Sequence, residues 1–221
     1  MRERVKRVLG VMRRRKRIDL YLRQHEIRKL HLGAGENVQP GWLNTDLHDY
    51  GRADELVYLD VREPFPLPDA SFGFVFSEHM LEHLSYPEGL RCLRECIRVL
   101  RPGGRIRIAT PSLEQLARLY EPELTEVQQR YVRWAVDEFV PEAGSPLPGF
   151  VVNNFMQAWG HRFVYDRGTL RHALEAAGFA DVEERRVGES PEPVLAGLER
   201  HLRTEPDFNE YETLVVEARR P

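Results

Sequence analysis

The sequence predicts an α/β fold built on an open, mostly parallel sheet, and three observations point there. Four short strand-like runs end in residues suited to ligand contact: Gly33-Ala34-Gly35, Asp46, Asp60 and Ser77-Glu78-His79. Ser85-x-x-Glu88 with Pro87 in the first turn is a capping box, and it starts a helix between the fourth and fifth strands. Near the C-terminus two further β-rich runs, joined by a long connection, fit an antiparallel closing pair.

Taken in order, Val5, Val8, Leu9 and Met12 recur at helical spacing and lead into Arg13-Arg14-Arg15-Lys16-Arg17, the layout of a basic amphipathic helix. Residues 1–28 carry eleven Lys or Arg against three acids, although the whole chain is at −3. This basic extension, residues 1–27, either packs its small apolar stripe on the following domain or meets an anionic membrane surface or a polyanion through residues 1–22. The domain proper spans residues 28–221.

Arg28 to Leu32 alternates and stops at Gly33, and Gly41 to Asp46 supplies a second strand after a connection too short for a full crossover helix. The first helix is therefore shrunk to a turn or missing. Leu56 to Leu59 makes a third strand, and Phe72 to Phe76 a doubly buried fourth. Leu90, Leu93, Ile97 and Leu100 form the apolar face of the capped helix, which Arg101-Pro102-Gly103-Gly104 ends. Arg105 to Ala109 makes a fifth strand by alternating arginine and isoleucine.

The α/β rhythm then breaks over residues 112–168, which hold a helical pattern from Leu124 to Val136, a Pro/Gly loop from Pro141 to Gly149, and the cluster Asn153-Asn154 to Trp159-Gly160-His161. Such aromatic and amide content marks an acceptor-covering insertion. A helix through Leu170, Leu174 and Ala177 stops at Gly178, and strands follow near Val182 to Val187 and Thr213 to Ala218.

A length of 221 residues suits one domain with a substantial core. Cys92 and Cys96 lie four apart in an apolar helical pattern and read as reduced core residues. No apolar run approaches the roughly 20 residues of a membrane span and no signal-peptide pattern opens the chain, so a cytoplasmic protein is expected, peripheral to the inner membrane surface if the basic helix binds lipid.

Chemically, the strand-end residues read as an adenosine-binding series. Glycines let the first turn approach a ligand closely, Asp46 is placed to accept ribose hydroxyls, and Asp60 to accept from an adenine amino group. A dinucleotide site would want a third glycine where position 38 is Val, and a helix N-terminus for the pyrophosphate. Hydride transfer is disfavoured.

Leu30-His31-Leu32-Gly33-Ala34-Gly35, Leu43-Asn44-Thr45-Asp46 and Leu59-Asp60-Val61, with Phe76-Ser77-Glu78-His79-Met80-Leu81-Glu82-His83-Leu84 and Val99 to Gly104, resemble the class I S-adenosylmethionine-dependent methyltransferases. The last two segments are closest to the small-molecule branch. Gly41 to Asp46 with His161-Arg162-Phe163-x-Tyr165-Asp166 looks like a group associated with surface-glycan biosynthesis. The resemblance implies a Rossmann-like, seven-stranded sheet with an antiparallel last strand, and S-adenosylmethionine as the donor. It implies donor contacts at Gly33, Ala34, Gly35, Asp46, Leu47, Asp60, Val61, Ser77, Glu78 and His79, and O-methylation of a saccharide or other small hydroxylated acceptor.

An alcohol nucleophile needs a base, for which His161 is the candidate and His79 the fallback, with Asn154, Trp159 and Tyr165 contacting the acceptor. His161 equally reads as a packed histidine fixing the insertion to the sheet. His79-Met80-Leu81-Glu82-His83 also matches a zinc-peptidase pattern, but Ser85-Tyr86-Pro87 breaks the helix such a site requires; no metal is expected, and Glu82 and His83 read as anchors of the loop. The alternative from another class is a non-catalytic binder that keeps the fold and holds an anionic partner with its basic front; the intact Gly33, Gly35, Asp46 and Asp60 argue against it.

Overall fold

The computed structural model describes residues 2–52, 54–202 and 205–221, with residues 2–9 as helical backbone only. A seven-stranded sheet runs in the order β3-β2-β1-β4-β5-β7-β6, where β1 is Lys29–Leu32, β2 Leu43–Asp46, β3 Val57–Tyr58, β4 Phe72–Glu78, β5 Leu100–Pro111, β6 Ala180–Arg185 and β7 Thr213–Arg219. All neighbouring pairs from β3 to β5 are parallel, and β7 slots antiparallel between β5 and β6. Strand number and polarity follow the expectation. The fifth strand is longer than its Arg105–Ala109 nucleus because Leu100 re-enters the ladder opposite Phe72, with a register shift between Phe72 and Phe74.

The register lays alternate rows across the sheet. Leu43, Leu30, Val75, Ile106 and Ala218 are successive partners in one row, and Thr45, Leu32, Ser77, Ile108 and Val216 in another. Side chains alternate across a strand, so these rows share a face. Their apolar members join the main core with α2 (Tyr86–Val99) and α6 (Arg167–Ala177), through Cys92, Leu93, Cys96, Leu170 and Leu174. Ser85 and Glu88 form the expected capping box, and Asp166 with Thr169 forms a second one at the start of α6.

The intervening row reads Asn44, His31, Phe76, Arg107, Glu217 and faces the other way. No crossover helix covers it: residues 33–42 contain only turns and bends. Residues 186–201 take that place, with Leu195 and Leu198 packing on Trp42 and Phe76. Buried Arg107 bonds Glu199 at 2.5 Å and Glu217 at 2.7 Å and donates to the carbonyls of Arg186 and Glu189. Asn37 and Gln39 both donate to the Leu198 carbonyl.

The insertion holds more helix than the sequence suggests: α3 (Leu113–Arg118), α4 (Glu126–Phe139) and α5 (Pro148–Gln157). The loop expected to reach Gly149 ends early because Pro148 occupies the first turn of α5, where its missing N–H costs nothing. With α7 (Pro206–Glu212), these helices enclose a second core around Tyr131, Val136, Val151, Phe155 and Phe208.

At the front, α1 (Arg2–Gln24) is docked by Ile18 and Tyr21, whose hydroxyl donates to the Lys29 carbonyl at 2.9 Å. The side chains of Val5, Val8 and Leu9 lie outside the described residues, and Met12, the last member of that stripe, is exposed. Met12 therefore does not anchor the helix, and the anchoring falls a turn and a half later, at Ile18. Among the described residues no helix is long and apolar enough to cross a membrane.

Candidate active site

A cleft of about 1020 Å³ opens at the carboxyl ends of β1, β2, β3 and β4. Its lining brings together Gly33, Ala34, Gly35, Asp46, Leu47, Asp60, Val61, Glu78, His79 and Trp159, ten of the positions singled out from the sequence. Gly33 is obligatory in two ways. It has φ of +62°, and a Cβ there would stand 2.4 Å from Met80 Cγ. The Gly35 N–H donates to Asp46 Oδ2 at 2.9 Å, while His48 N–H donates to Oδ1, so Asp46 ties the first turn to the second. Asp60 is held bidentately by Arg62 at 2.7 and 2.8 Å, and Arg62 also lines the cleft.

Glu78 is committed differently from the expectation of a ligand contact. One carboxylate oxygen accepts the N–H groups of Arg200 and His201 at 2.7 and 2.9 Å, and the other accepts from Asn37 Nδ2 at 2.7 Å. Its work is to fasten the C-terminal segment to the strand end. Arg200 and His201 consequently line the cleft, as do Asn37, Gln39 and His31. None of these five is singled out by the sequence. The hydrogen bonds that bring in Arg200 and His201 cross more than a hundred positions, so no local pattern announces them.

His79 sits just past β4 at φ of +45°, and Tyr50 and Trp159, also at the cleft, have positive φ too. The His79 and His201 ring centroids are 3.8 Å apart with the planes tilted by 32°, and His79 Nδ1 lies 3.3 Å from Oε1 of fully buried Glu82. Burial opposes the imidazolium, but Glu82, with Glu212 and Glu78, outweighs it and raises the His79 pKa above its ordinary value. Glu82 stays ionised below the usual carboxylate range because His79 overcomes its own desolvation.

Four expectations need correction. Tyr165 does not reach the cleft: it is fully buried in the main core, where Gly89 makes room for its hydroxyl, and a Cβ at Gly89 would lie 2.6 Å from that oxygen. Ser77 is buried behind the strand end and does not line the cleft, because its register row belongs to the helix-covered face. Asn154 is partly buried on α5 and is also absent from the lining. His161 stands behind His83 rather than in the cleft wall, its ring 5.0 Å from that of His83 and its Nδ1 donating to the Phe155 carbonyl at 2.8 Å. Burial lowers the His161 pKa.

Residues 32–108 match the family described as "Methyltransferase domain". A demethylmenaquinone methyltransferase from Clavibacter sepedonicus is 32 % identical over 137 residues, covering 60 % of this chain and 49 % of that protein. An uncharacterised 37.1 kDa protein in transposon Tn4556 from Streptomyces fradiae is 37 % identical over 75 residues, 34 % of this chain and 21 % of its own length. The chain thus spans half or less of these curated relatives. Among solved structures, an S-adenosylmethionine-dependent methyltransferase from Archaeoglobus fulgidus superposes with a TM-score of 0.52 at 19 % identity, covering 96 % of this chain and 93 % of that one. One from Mesorhizobium loti gives 0.52 at 20 % identity, covering 88 % and 91 %.

Proposed function

We propose that this chain, which carries a class I S-adenosylmethionine-dependent methyltransferase domain, holds the donor along the cleft and passes its methyl group to a hydroxyl of a small acceptor, a saccharide or similar polyol. The observation that carries the reading is continuity: one cleft joins the Gly33-Gly35 turn, Asp46 and Asp60 to His79, His83, His201 and Trp159. In this arrangement the ribose hydroxyls bond Asp46, adenine lies by Asp60 and Val61, and the methionine portion runs along Gly33 and Gly35 toward His79. Methyl transfer from a sulfonium is an in-line displacement, so most of the catalytic task is alignment. His79 replaces His161 as the base because it reaches the cleft and is backed by Glu82. Trp159, nearly half exposed on the cleft rim, offers the flat apolar surface on which sugar rings stack.

Calorimetry tests the donor half. Binding of S-adenosylmethionine and its demethylated product is expected in the micromolar range, about −8 kcal/mol. Asp46→Ala should remove most of that affinity; Asp46→Asn, which keeps one acceptor oxygen, should retain more. Equal affinity in wild type and Asp46→Ala overturns the assignment. Transfer of a labelled methyl group to saccharides, run beside demethylmenaquinone because of the Clavibacter relative, tests the acceptor class. His79→Asn should lower turnover by about a hundredfold while sparing donor affinity.

A further inference from the structure

At the acceptor end of the cleft, one potential ligand atom from each of Glu82, His83 and His161 lies within 4.8 Å of the other two. We propose that these residues form a mononuclear zinc site with an open position toward the cleft. Two imidazoles and a carboxylate are a donor set that zinc accepts, and three protein ligands leave the fourth place for a small molecule.

The geometry supports this in three ways. A zinc ion about 2.0–2.1 Å from an imidazole nitrogen stands roughly 3.2 Å from the ring centroid, so two histidines at a near-tetrahedral angle have centroids about 5 Å apart. The His83 and His161 rings are 5.0 Å apart and inclined at 78°. His161 donates Nδ1–H to the Phe155 carbonyl, which fixes the tautomer and leaves Nε2 as the lone-pair nitrogen, the usual support for a ligating histidine. Glu82 is oriented in the same manner. Its Oε2 accepts from Thr110 at 3.1 Å, whereas its buried Oε1 meets, among the described residues, only His79 Nδ1 in a long ion pair at 3.3 Å.

A neighbouring group, His79, His201 and Glu212, also brings its ligand atoms within 4.8 Å, but its ring centroids are only 3.8 Å apart. Two nitrogens aimed at one ion from rings that close would subtend roughly 70°, too acute for zinc. The sequence pattern His79-x-x-Glu82-His83 is thus divided: His79 leaves the ligand set, and the missing ligand comes from His161 across the insertion. The one-turn helix over Leu81–His83 suffices because the site needs only two adjacent ligands from it.

His83 lines the cleft, which sets the open position where an acceptor would enter. Resting on the methyl-transfer reading, the ion would take the acceptor hydroxyl oxygen as its fourth ligand and lower its pKa. The O–H proton would leave to solvent water, the oxygen would form the O–CH₃ bond, and the S–CH₃ bond would break with its electron pair staying on sulfur as the neutral thioether.

The test uses full-length protein without an affinity tag, stripped with chelator and titrated with zinc chloride and, separately, cobalt chloride. One equivalent of either should bind, with cobalt showing the intense visible bands of a tetrahedral site. His161→Ala and His83→Gln should each weaken binding at least ~10-fold, and His201→Ala should leave it within a few-fold. Stripped protein and the His161→Ala variant should keep the affinity of wild type for the demethylated donor, and circular dichroism checks that His83→Gln and His201→Ala, at cleft-lining positions, are folded. No stoichiometric binding by wild type, or binding lost in His201→Ala and kept in His161→Ala, overturns the proposal. Zinc bound without any donor affinity would overturn the methyl-transfer reading and leave the metal site standing.

Discussion

The two faces of the sheet solve the same burial problem with different chemistry. On one, rows such as Leu43, Leu30, Val75, Ile106 and Ala218 lie under α2 and α6 and bury hydrocarbon against hydrocarbon. On the other, the row Asn44, His31, Phe76, Arg107, Glu217 lies under a segment without regular helix. The helical face draws on the hydrophobic effect, which is non-directional and tolerant of detail. The polar face depends on its buried donors and acceptors finding partners, as Arg107 and Asn44 do, while His31 Nε2 has none among the described residues. This is the cost of a shortened first crossover: the space a helix would fill is closed by side-chain bonds from a distant part of the chain.

The sharpest way to break the comparison is at Arg107. Arg107→Leu leaves the buried Glu199 carboxylate without its cation and Glu217 with only Arg185, 3.4 Å from its other oxygen, and about 3–5 kcal/mol of stability should be lost in urea unfolding. Combining Arg107→Met with Glu199→Gln and Glu217→Gln should restore much of the loss, since the penalty comes from orphaned charge rather than from missing attraction. A single Arg107→Leu variant as stable as wild type would mean that the polar row does not hold this face.

Next in size is His31. Burial lowers its pKa to about 4, against the Asn44 side-chain bond that favours the proton. The folded state therefore binds fewer protons than the unfolded state between about 6.5 and 4. Stability from this residue is whole above about pH 6.5, falls as the pH drops, and levels off below about 4, a total of about 3 kcal/mol. Unfolding measured from pH 7 to 4 should show this slope in wild type and a shallower one in His31→Leu. Parallel curves would remove His31 as the acid-sensitive point of the polar face.

The smallest effect belongs to the helical face. The Tyr165 hydroxyl is buried without a hydrogen-bond partner among the described residues, and burial raises its pKa. Tyr165→Phe should stabilise the protein by about 1 kcal/mol and leave acceptor KM unchanged. A large rise in KM would return Tyr165 to the acceptor site.

What the sequence discloses divides along the same line. Apolar alternation in β4 and β5, the Ser85-Glu88 capping box and the residues at the ends of β1 to β3 are local signals, so the helical face and the glycine-acid half of the cleft are legible from the chain alone. Arg107 is legible as a strand residue, but Glu199 is not legible as its partner, 92 positions away. Composition draws His161 and Tyr165 toward the acceptor, yet composition cannot tell a side chain facing a cleft from one packed behind it. Ser77 differs from its expected place by one step of strand alternation: its neighbour Glu78 lines the cleft and it does not.

The bonds from Asn37 and Gln39 to Leu198 span 161 and 159 positions. Closing loops of that length is among the slowest events in folding. The strand ends near the glycine turn are made of neighbours and can form early, yet the cleft has no far wall until Glu78 captures Arg200 and His201. Ligand capture is therefore expected to mark the last stage of folding rather than the first. In hydrogen exchange, the amides of Arg200 and His201 should open well before those of β4, and a bound donor should slow them most.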